Sequence, residues 1–251
     1  MKIDKPIAAV SMVRNDIFFA DKWISYYGTQ FGYENLYLII DGMDQPLPKE
    51  ASKINCFQIP HQNLKRAKGD RKRAKKISEF ASTLYPKYKA VLAMDIDEFL
   101  VVDPRMKISL KAYLKKDFKT DSISALGLDV GQHPKFENGI DLKKTFLSQR
   151  QFAKVSDRYT KPIVSFKPLQ WGSGFHRIKG KDYVIDPNLF LFHFGLVSKE
   201  ITDKKSNKSE LLSLGWRGHM ARRFRLFKEL ETQTPQEGDM FFEKARHYLN
   251  K

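Results

Sequence analysis

Four short apolar runs, each ending in polar residues, constrain the fold more than any other feature of the chain. They lie at positions 7–13, 36–40, 54–59 and 90–94. Runs of this length that are rich in β-branched residues are typical of strands buried on both faces. Helical patterns follow the first and third runs, and such alternation favours parallel pairing through right-handed crossovers. The sequence therefore predicts an α/β fold with a mostly parallel open sheet flanked by helices.

Two helices are predicted between these runs. The first has aromatic residues spaced four apart, which places them on one helix face: Phe19, Trp23, Tyr27 and Phe31. Asn15 or Asp16 would be its N-cap and Gly32 its end. The second spans 66–84. Later in the chain the patterns predict a helix at 107–118, strands at 123–130, 163–166 and 187–194, and helices at 210–231 and 239–249, with a polar stretch at 201–210.

Length and cysteine content narrow the class of protein. The chain has 251 residues, which suits one large α/β domain or a domain with an appended subdomain, rather than a small scaffold. The single cysteine, Cys56, allows no internal disulfide and favours a reducing compartment. The first residues contain no apolar signal region, and no window approaches the roughly 20 apolar residues that span a bilayer. We therefore expect a cytoplasmic protein.

The chain is strongly basic. It has 45 Lys and Arg residues against 29 Asp and Glu residues, a net charge of +16, and such a field attracts nucleic acid, anionic lipid or phosphorylated substrates alike. One basic cluster lies at 65–76. The other consists of Arg217, Arg222, Arg223, Arg225 and Lys228. Each cluster is equally consistent with a solvated helix face.

The most informative motif is the Asp-x-Asp formed by Asp95 and Asp97, directly after the fourth apolar run. Alternate strand residues point the same way, so both carboxylates can face one crevice. Carboxylates at the tip of a buried strand need a compensating cation. Mg²⁺ and Mn²⁺ prefer oxygen ligands and retain phosphates and water in their shell. The position of the motif favours a divalent metal site over a solvated strand end or a helix cap.

Other polar residues lie where the carboxyl ends of the strands would meet, the edge at which open α/β sheets bind ligands. Arg14 and Asn15 would hold a diphosphate or ribose, although Asn15 could instead cap a helix. Asp41 would accept a hydrogen bond from a nucleobase or ribose, or form an Asx turn. Arg71 and Arg73, early in the basic helix, would face a phosphate, although at least half of that run must be plain surface.

Three histidines and one aspartate are further candidates. His193 lies in an apolar run and is either a core group, a third metal ligand or a diphosphate contact. His176 lies in a glycine-rich loop of the kind that often carries binding groups. Asp129 and His133 follow a predicted strand. Any of Asp129, His133 and His176 could be a general base, and we assign the catalytic role to Asp129 and His176.

Four blocks together resemble the family 2-like glycosyltransferases of bacterial surface-polysaccharide loci. They are SMVRND at 11–16, WISYYGTQFG at 23–32, NLYLIIDG at 35–42 and DIDEFL at 95–100, within a match over residues 7–103. The resemblance implies a GT-A fold, a nucleotide-sugar donor, most simply a UDP-sugar, Mn²⁺ or Mg²⁺, and an inverting reaction. It places the metal motif on Asp95 and Asp97 and the nucleotide-binding strand ends on Arg14, Asn15 and Asp41.

The later part of the chain is more loosely similar to the family, through KPIV at 161–164, GFH at 174–176 and FHF at 192–194. GMDQ at 42–45 departs from the family's serine-containing turn, and the family's downstream catalytic Asp has no clear counterpart. The resemblance divides the chain into a nucleotide-sugar-binding half (1–103), an acceptor-side half of the same domain (104–198) and a basic helical extension (199–251).

A glycan or a lipid-linked acceptor would be the second substrate. The basic helix near the C-terminus would either contact the anionic inner membrane leaflet or pack on the core. A metal-dependent phosphohydrolase is the alternative enzyme, but Asp95 is not on the first strand and Phe99 replaces the expected hydroxyl residue. A basic nucleic-acid-binding protein is the non-enzymatic alternative. We expect no nucleic-acid partner, because an acidic strand end is a poor surface for one.

Overall fold

Helices flank a large mixed β-sheet in this protein. The computed structural model describes residues 5–180, 184–206, 217–234 and 240–249. Nine strands form the sheet, in the order β3-β2-β1-β4-β8-β6-β9-β5, with β7 paired to β6. The predicted α/β class is confirmed.

The first hundred residues fold largely as the sequence predicts. Their strands are β1 (Ile7–Val13), β2 (Leu36–Asp41), β3 (Asn55–Ile59) and β4 (Ala90–Ala93), and their helices are α1 (Ile17–Phe31) and α2 (Arg66–Ser82). All pairs among these four strands are parallel. The four aromatic residues of α1 are buried, because their spacing directs them onto the sheet. The helix ends at Gly32, whose φ of 95° favours glycine.

The prediction of a mostly parallel sheet is wrong for the second half. Its strands are β5 (Glu98–Val102), β6 (Ser122–Gly131), β7 (Ala153–Val155), β8 (Lys161–Ser165) and β9 (Ile185–Leu196). β8 is antiparallel to both β4 and β6, β7 is antiparallel to β6, β5 is antiparallel to β9, and β6 and β9 are parallel. The prediction extended the strand–helix alternation of the first half. Loops rather than helices connect several later strands, and these connections permit antiparallel pairing.

The later helices differ in length from their predictions. They are α3 (Leu110–Leu114), α4 (Lys199–Ser206), α5 (Arg217–Glu231) and α6 (Met240–Leu249). Lys107, with φ 52°, ends a short 3-10 turn, and the Ser109 side chain caps α3, so this helix is shorter than the predicted 107–118. α4 forms where we expected a polar stretch. Residues 210–216 of the predicted C-terminal helix and residue 239 lie outside the described residues.

The C-terminal helices pack on the core. Leu226, Phe227 and Leu230 of α5 are buried with Phe152 and Leu196, which matches the core-packing alternative for the described part of this helix. Asp103, after β5, anchors α6, because it accepts hydrogen bonds of 3.0 and 2.9 Å from Arg246. Within the described ranges, no helix has the length and apolar character needed to cross a bilayer.

Candidate functional site

An ionic cluster surrounds the first carboxylate of the Asp-x-Asp motif, beyond the end of β4. Asp95 Oδ1 lies 2.6 Å from a guanidinium nitrogen of Arg73. Its Oδ2 accepts a hydrogen bond of 2.9 Å from Lys161 Nζ, and Lys161 also donates to Glu98. Glu98 in turn accepts a hydrogen bond of 3.1 Å from the Asp95 backbone N–H. The side chains of Lys161 and Glu98 are almost completely buried. Asp95 and Glu98 therefore share the positive charge of Lys161.

Burial and charge act in opposite directions on these groups. Burial raises the pKa of Asp95, but Arg73 and Lys161 outweigh burial and hold that pKa below its usual value. Burial lowers the pKa of Lys161, but Asp95 and Glu98 raise it above its usual value. Burial raises the pKa of Glu98 to about 7, although Lys161 opposes this. Asp95 and Lys161 are therefore held in their charged forms at neutral pH.

His193 lies between the second carboxylate of the motif and Asp129. Its Nδ1 is 2.7 Å from Asp129 Oδ1 and its Nε2 is 3.3 Å from Asp97 Oδ2. Strand register explains this arrangement, because His193 of β9 pairs with Asp129 of β6 and with Glu98 of β5. Tyr159 stacks on the imidazole with ring centroids 3.7 Å apart. Burial lowers the pKa of His193, but Asp97 and Asp129 outweigh burial and raise it to about 9. The imidazole is therefore charged at neutral pH, and it would have to release its Nε2 proton before it could bind a cation.

The Asp97–His193 pair fits one side of a divalent cation site. Metal-bound histidines usually donate their other ring N–H to a carboxylate, which is the position of Asp129 here. Two neighbouring ligands, each about 2.1 Å from a cation, lie about 3 Å apart, close to the observed 3.3 Å. Asp95 fits less well, because both of its oxygens face basic side chains. Within the described ranges, no three His, Cys, Asp or Glu residues are grouped to hold a metal. The protein would therefore supply few ligands and leave positions for phosphate and water.

Gly195 makes the close approach of His193 and Asp97 possible. A Cβ at this position would lie 2.6 Å from His193 Cε1 and 3.0 Å from Asp97 Oδ2. A side chain larger than hydrogen would therefore displace one of these two groups.

A second polar group lies at the ends of β1 and β2. Arg14 donates to the Asp41 carbonyl oxygen at 2.8 Å and forms a two-point ion pair with Asp44. Asp41 Oδ2 lies 2.9 Å from His61 Nδ1. Asn15 adopts a left-handed φ of 61°, and no side chain caps the start of α1. The structure thus brings the predicted nucleotide-binding residues Arg14 and Asp41 into contact at the carboxyl edge.

The two arginines predicted to face phosphate have different environments. Arg73 reaches Asp95 and lies over the Phe175 ring, 5.3 Å from its centroid. Arg71 is exposed on α2, and no described carboxylate pairs with it. The structure brings only Arg73 into the cluster.

The two remaining base candidates also differ. The pKa of His176 is lowered to about 4, first by burial and then by Lys161. Its Nδ1 is buried and has no hydrogen-bond partner among the described residues. His133 is buried between Phe136 and Phe152, and its Nδ1 accepts backbone hydrogen bonds from its own loop. Each histidine thus has one buried ring nitrogen without a hydrogen-bond partner among the described residues, Nε2 in His133 and Nδ1 in His176. They differ in that the other ring nitrogen of His133 stabilises its loop, whereas His176 has the lowered pKa.

Several residues of the site have no role predicted from the sequence. Lys161 carried a usable signal, because a lysine that begins a buried apolar strand needs a carboxylate partner. His61 follows the third apolar run and could have been grouped with Asp41 on that ground. Glu98 and Tyr159 had no such signal, because their partners come from other strands.

Comparisons with known proteins add little to this geometry. No family model matches the sequence, and no curated protein matches it. Among solved structures, the chain is similar to a glycosyltransferase involved in the glycosylation of the major capsid of PBCV-1, with 13% identity and a TM-score of 0.25. The match covers 49% of this chain and 50% of that one, so the chain spans about half the length of that structure.

Proposed function

We propose that the protein is a GT-A glycosyltransferase that moves a sugar from a nucleotide-sugar donor to a hydroxyl group of a glycan or lipid-linked acceptor. One observation carries this proposal: the acidic motif lies beyond β4, where the strand order reverses next to β1, and basic groups surround it. Ligands of open α/β sheets bind at such reversal points. A diphosphate between two organic groups suits a site with this charge pattern.

The donor would lie along the carboxyl edge. Its nucleoside would contact Asp41 and His61, beyond β2 and β3, and Arg14 would lie beside the ribose or diphosphate. We take uracil as the base, because Asp41 can accept a hydrogen bond from the ring N3–H of uracil. The diphosphate would then extend toward Asp97 and the basic groups around Asp95.

Mn²⁺ or Mg²⁺ would be held by Asp97 and His193, with Asp95 contributing charge nearby. When bound, the cation would neutralise the negative charge that develops on the diphosphate leaving group. Asp129 holds the imidazole through Nδ1, so we propose that it positions His193 rather than acting as the base. Arg73 and Lys161 supply two fixed positive charges beside the motif.

His176 is the better candidate base. Because its pKa is lowered to about 4, its imidazole is neutral at pH 7. Its Nδ1 lone pair can take the proton of an acceptor hydroxyl group. The acceptor oxygen would form a bond to the anomeric carbon as the bond from that carbon to the donor phosphate breaks, which gives inversion.

We propose a cytoplasmic enzyme that contacts the inner membrane leaflet peripherally to reach a lipid-linked acceptor. The lack of a spanning helix in the described ranges fits this location without testing it. Co-sedimentation with anionic vesicles is the direct test.

Thermal-shift screening tests the donor site. The purified protein would be heated with UDP-, GDP-, CMP- and dTDP-sugars, with and without Mn²⁺, beside the Asp97→Ala variant. A ligand that binds only the folded state raises the melting temperature. We expect a metal-dependent rise with one nucleotide class and none in the variant. No rise with any donor in the folded parent would contradict the proposal.

A further inference from the structure

The exposed face of α2 carries a row of lysines that the proposed reaction does not use. Lys65, Lys68, Lys72 and Lys76, here called the lysine stripe, follow one another at spacings of three, four and four residues. Residues at these spacings share one face of a helix. The opposite face buries Ala74, Ile77, Ser78 and Ala81. At a rise of about 1.5 Å per residue, the stripe extends over about 16 Å.

The stripe is not neutralised by neighbouring carboxylates. Other basic residues of the same helix have acidic partners: Arg66 pairs with Asp70, Arg73 with Asp95 and Lys75 with Glu79. Among the described residues, no carboxylate forms an ion pair with a lysine of the stripe. Lys72 donates to the side-chain oxygen of Gln62, which carries no charge. The stripe therefore carries four positive charges without an acidic partner, on two exposed side chains, Lys65 and Lys68, and on two partly exposed ones, Lys72 and Lys76.

The stripe begins at the edge of the sheet that carries the site. β3 ends at that edge, and residues 60–65 lead directly into α2. The same helix sends Arg73 to Asp95. Arg73 lies between Lys72 and Lys76 in the sequence. A chain-like ligand with one end at the acidic motif could therefore pass Arg73 and continue along the later part of the stripe, away from Asp41 and His61, where the donor nucleoside would lie. It would meet a positive charge about every 5 Å.

We propose that the lysine stripe binds an anionic glycan, with a phosphate or carboxylate on its repeating unit, and that this glycan is the acceptor. Charge complementarity and continuity with the site support this assignment. The binding surface stands on its own, whereas the role of the glycan as acceptor rests on the proposed glycosyl transfer. A neutral glycan would gain no ion pairs from the stripe, so we expect the acceptor to be an acidic polymer.

Binding to defined polymers tests the stripe. Three probes are used: oligogalacturonate, whose charges are carboxylates; dextran phosphate, whose charges are phosphates; and neutral dextran. Calorimetry measures the affinity of each at low and at physiological salt concentration. The test variant is the triple Lys68→Gln, Lys72→Gln, Lys76→Gln. Its matched control is Lys87→Gln, Lys116→Gln, Lys119→Gln, with the same charge change at exposed positions before β4 and β6. Lys and Gln have similar helix propensities, so the test variant should fold. The control positions are exposed and lie outside the helices, so the control variant should fold too. A triple Lys→Arg variant of the stripe keeps the charge.

We expect at least one anionic polymer to bind the parent, and binding to weaken at the higher salt concentration. The test variant should bind it about tenfold more weakly, the control variant and the Arg variant should bind like the parent, and neutral dextran should not bind. Equal losses in the test and control variants would overturn the proposal. Tighter, stripe-dependent binding of an oligonucleotide or of anionic vesicles would overturn it too, because the stripe would then serve nucleic acid or membrane.

Donor hydrolysis, measured on the same proteins, separates this inference from the proposed function. The test variant should hydrolyse the donor at the parental rate, because the stripe lies outside the proposed catalytic residues. If the parent binds the glycan through the stripe but does not turn over the donor, the proposed glycosyl transfer and the acceptor role are refuted, and the binding surface stands. Donor turnover without glycan binding would refute the stripe alone.

Discussion

Replacement of Lys161 by Met should destabilise the protein far more than replacement of an exposed lysine. The Lys161 side chain is 1% exposed and its partner Glu98 is 0% exposed. Removal of one member of a buried ion pair costs about 3–5 kcal/mol, because the remaining charge loses its partner. Asp95 would retain Arg73 at 2.6 Å, whereas Glu98 would lose its only close cation among the described ion pairs. Glu98 would then be buried either as an unpaired charge or, after it takes up a proton, without the donor from which it now accepts a hydrogen bond. We therefore expect a loss of about 3 kcal/mol or more in the free energy of unfolding.

The matched control is Lys154→Met. Lys154 pairs with Glu229 at 2.6 Å, but these side chains are 53% and 47% exposed, and exposed pairs contribute at most about 1 kcal/mol. Urea unfolding of the parent and of both variants measures the difference. In a double-mutant cycle, adding Glu98→Gln to Lys161→Met should recover about 1–3 kcal/mol, because it removes the stranded carboxylate. Equal losses from the two lysine variants, or no recovery by Glu98→Gln, would refute the reasoning.

Three further perturbations test other parts of the account. Gly195→Ala should abolish the metal-dependent rise in melting temperature with the donor while the protein still folds, because the new Cβ would occupy space used by the Asp97–His193 pair. The control Gly139→Ala, whose Cβ would have no atom within 4 Å, should leave that rise unchanged. Asp129→Ala should weaken Mn²⁺ binding about 10- to 100-fold in a metal titration, as loss of a carboxylate that holds a metal-bound histidine does. A loss of activity with unchanged metal affinity would instead indicate that Asp129 is the base. Burial raises the pKa of Asp103, but hydrogen bonds from its two arginine partners hold that pKa well below its usual range. The contribution of Asp103 to stability is therefore complete above about pH 4 and is lost as pH falls further. Asp103→Asn should remove that part of the acid dependence in urea unfolding measured from pH 7 to pH 3.

The sequence predicted the first half of the fold well because its signals are local. Each of the strands β1 to β4 is a short apolar run, and the aromatic spacing of α1 specifies both the helix and its buried face. The second half was harder to predict, since pairing there depends on contacts between distant segments. β7 has only three residues, too few for a periodic pattern. β5 directly follows the Asp-x-Asp motif, and the same residues also fit the end of a single longer strand.

The candidate site shows the same division between local and distant information. The Asp-x-Asp motif and the strand-end residues Arg14 and Asp41 were visible in the sequence. The partnership of His193 with Asp129 was not, because it depends on the register between β6 and β9. Lys161 reaches Asp95 across 66 positions of sequence. Sequence patterns identified candidate residues, but their roles depend on pairings that the folded sheet creates.

The products formed from a nucleotide-sugar test the central claim most directly. The parent and the Asp97→Asn variant would be incubated with the donor selected by thermal shift, Mn²⁺ and a candidate acidic acceptor, and the released nucleotide identified by mass spectrometry. We expect the parent to release nucleoside diphosphate, which means that the bond at the anomeric carbon has broken, and the variant to release little. Release of nucleoside monophosphate with sugar 1-phosphate would show cleavage within the diphosphate, the reaction of a phosphohydrolase, and would contradict the account.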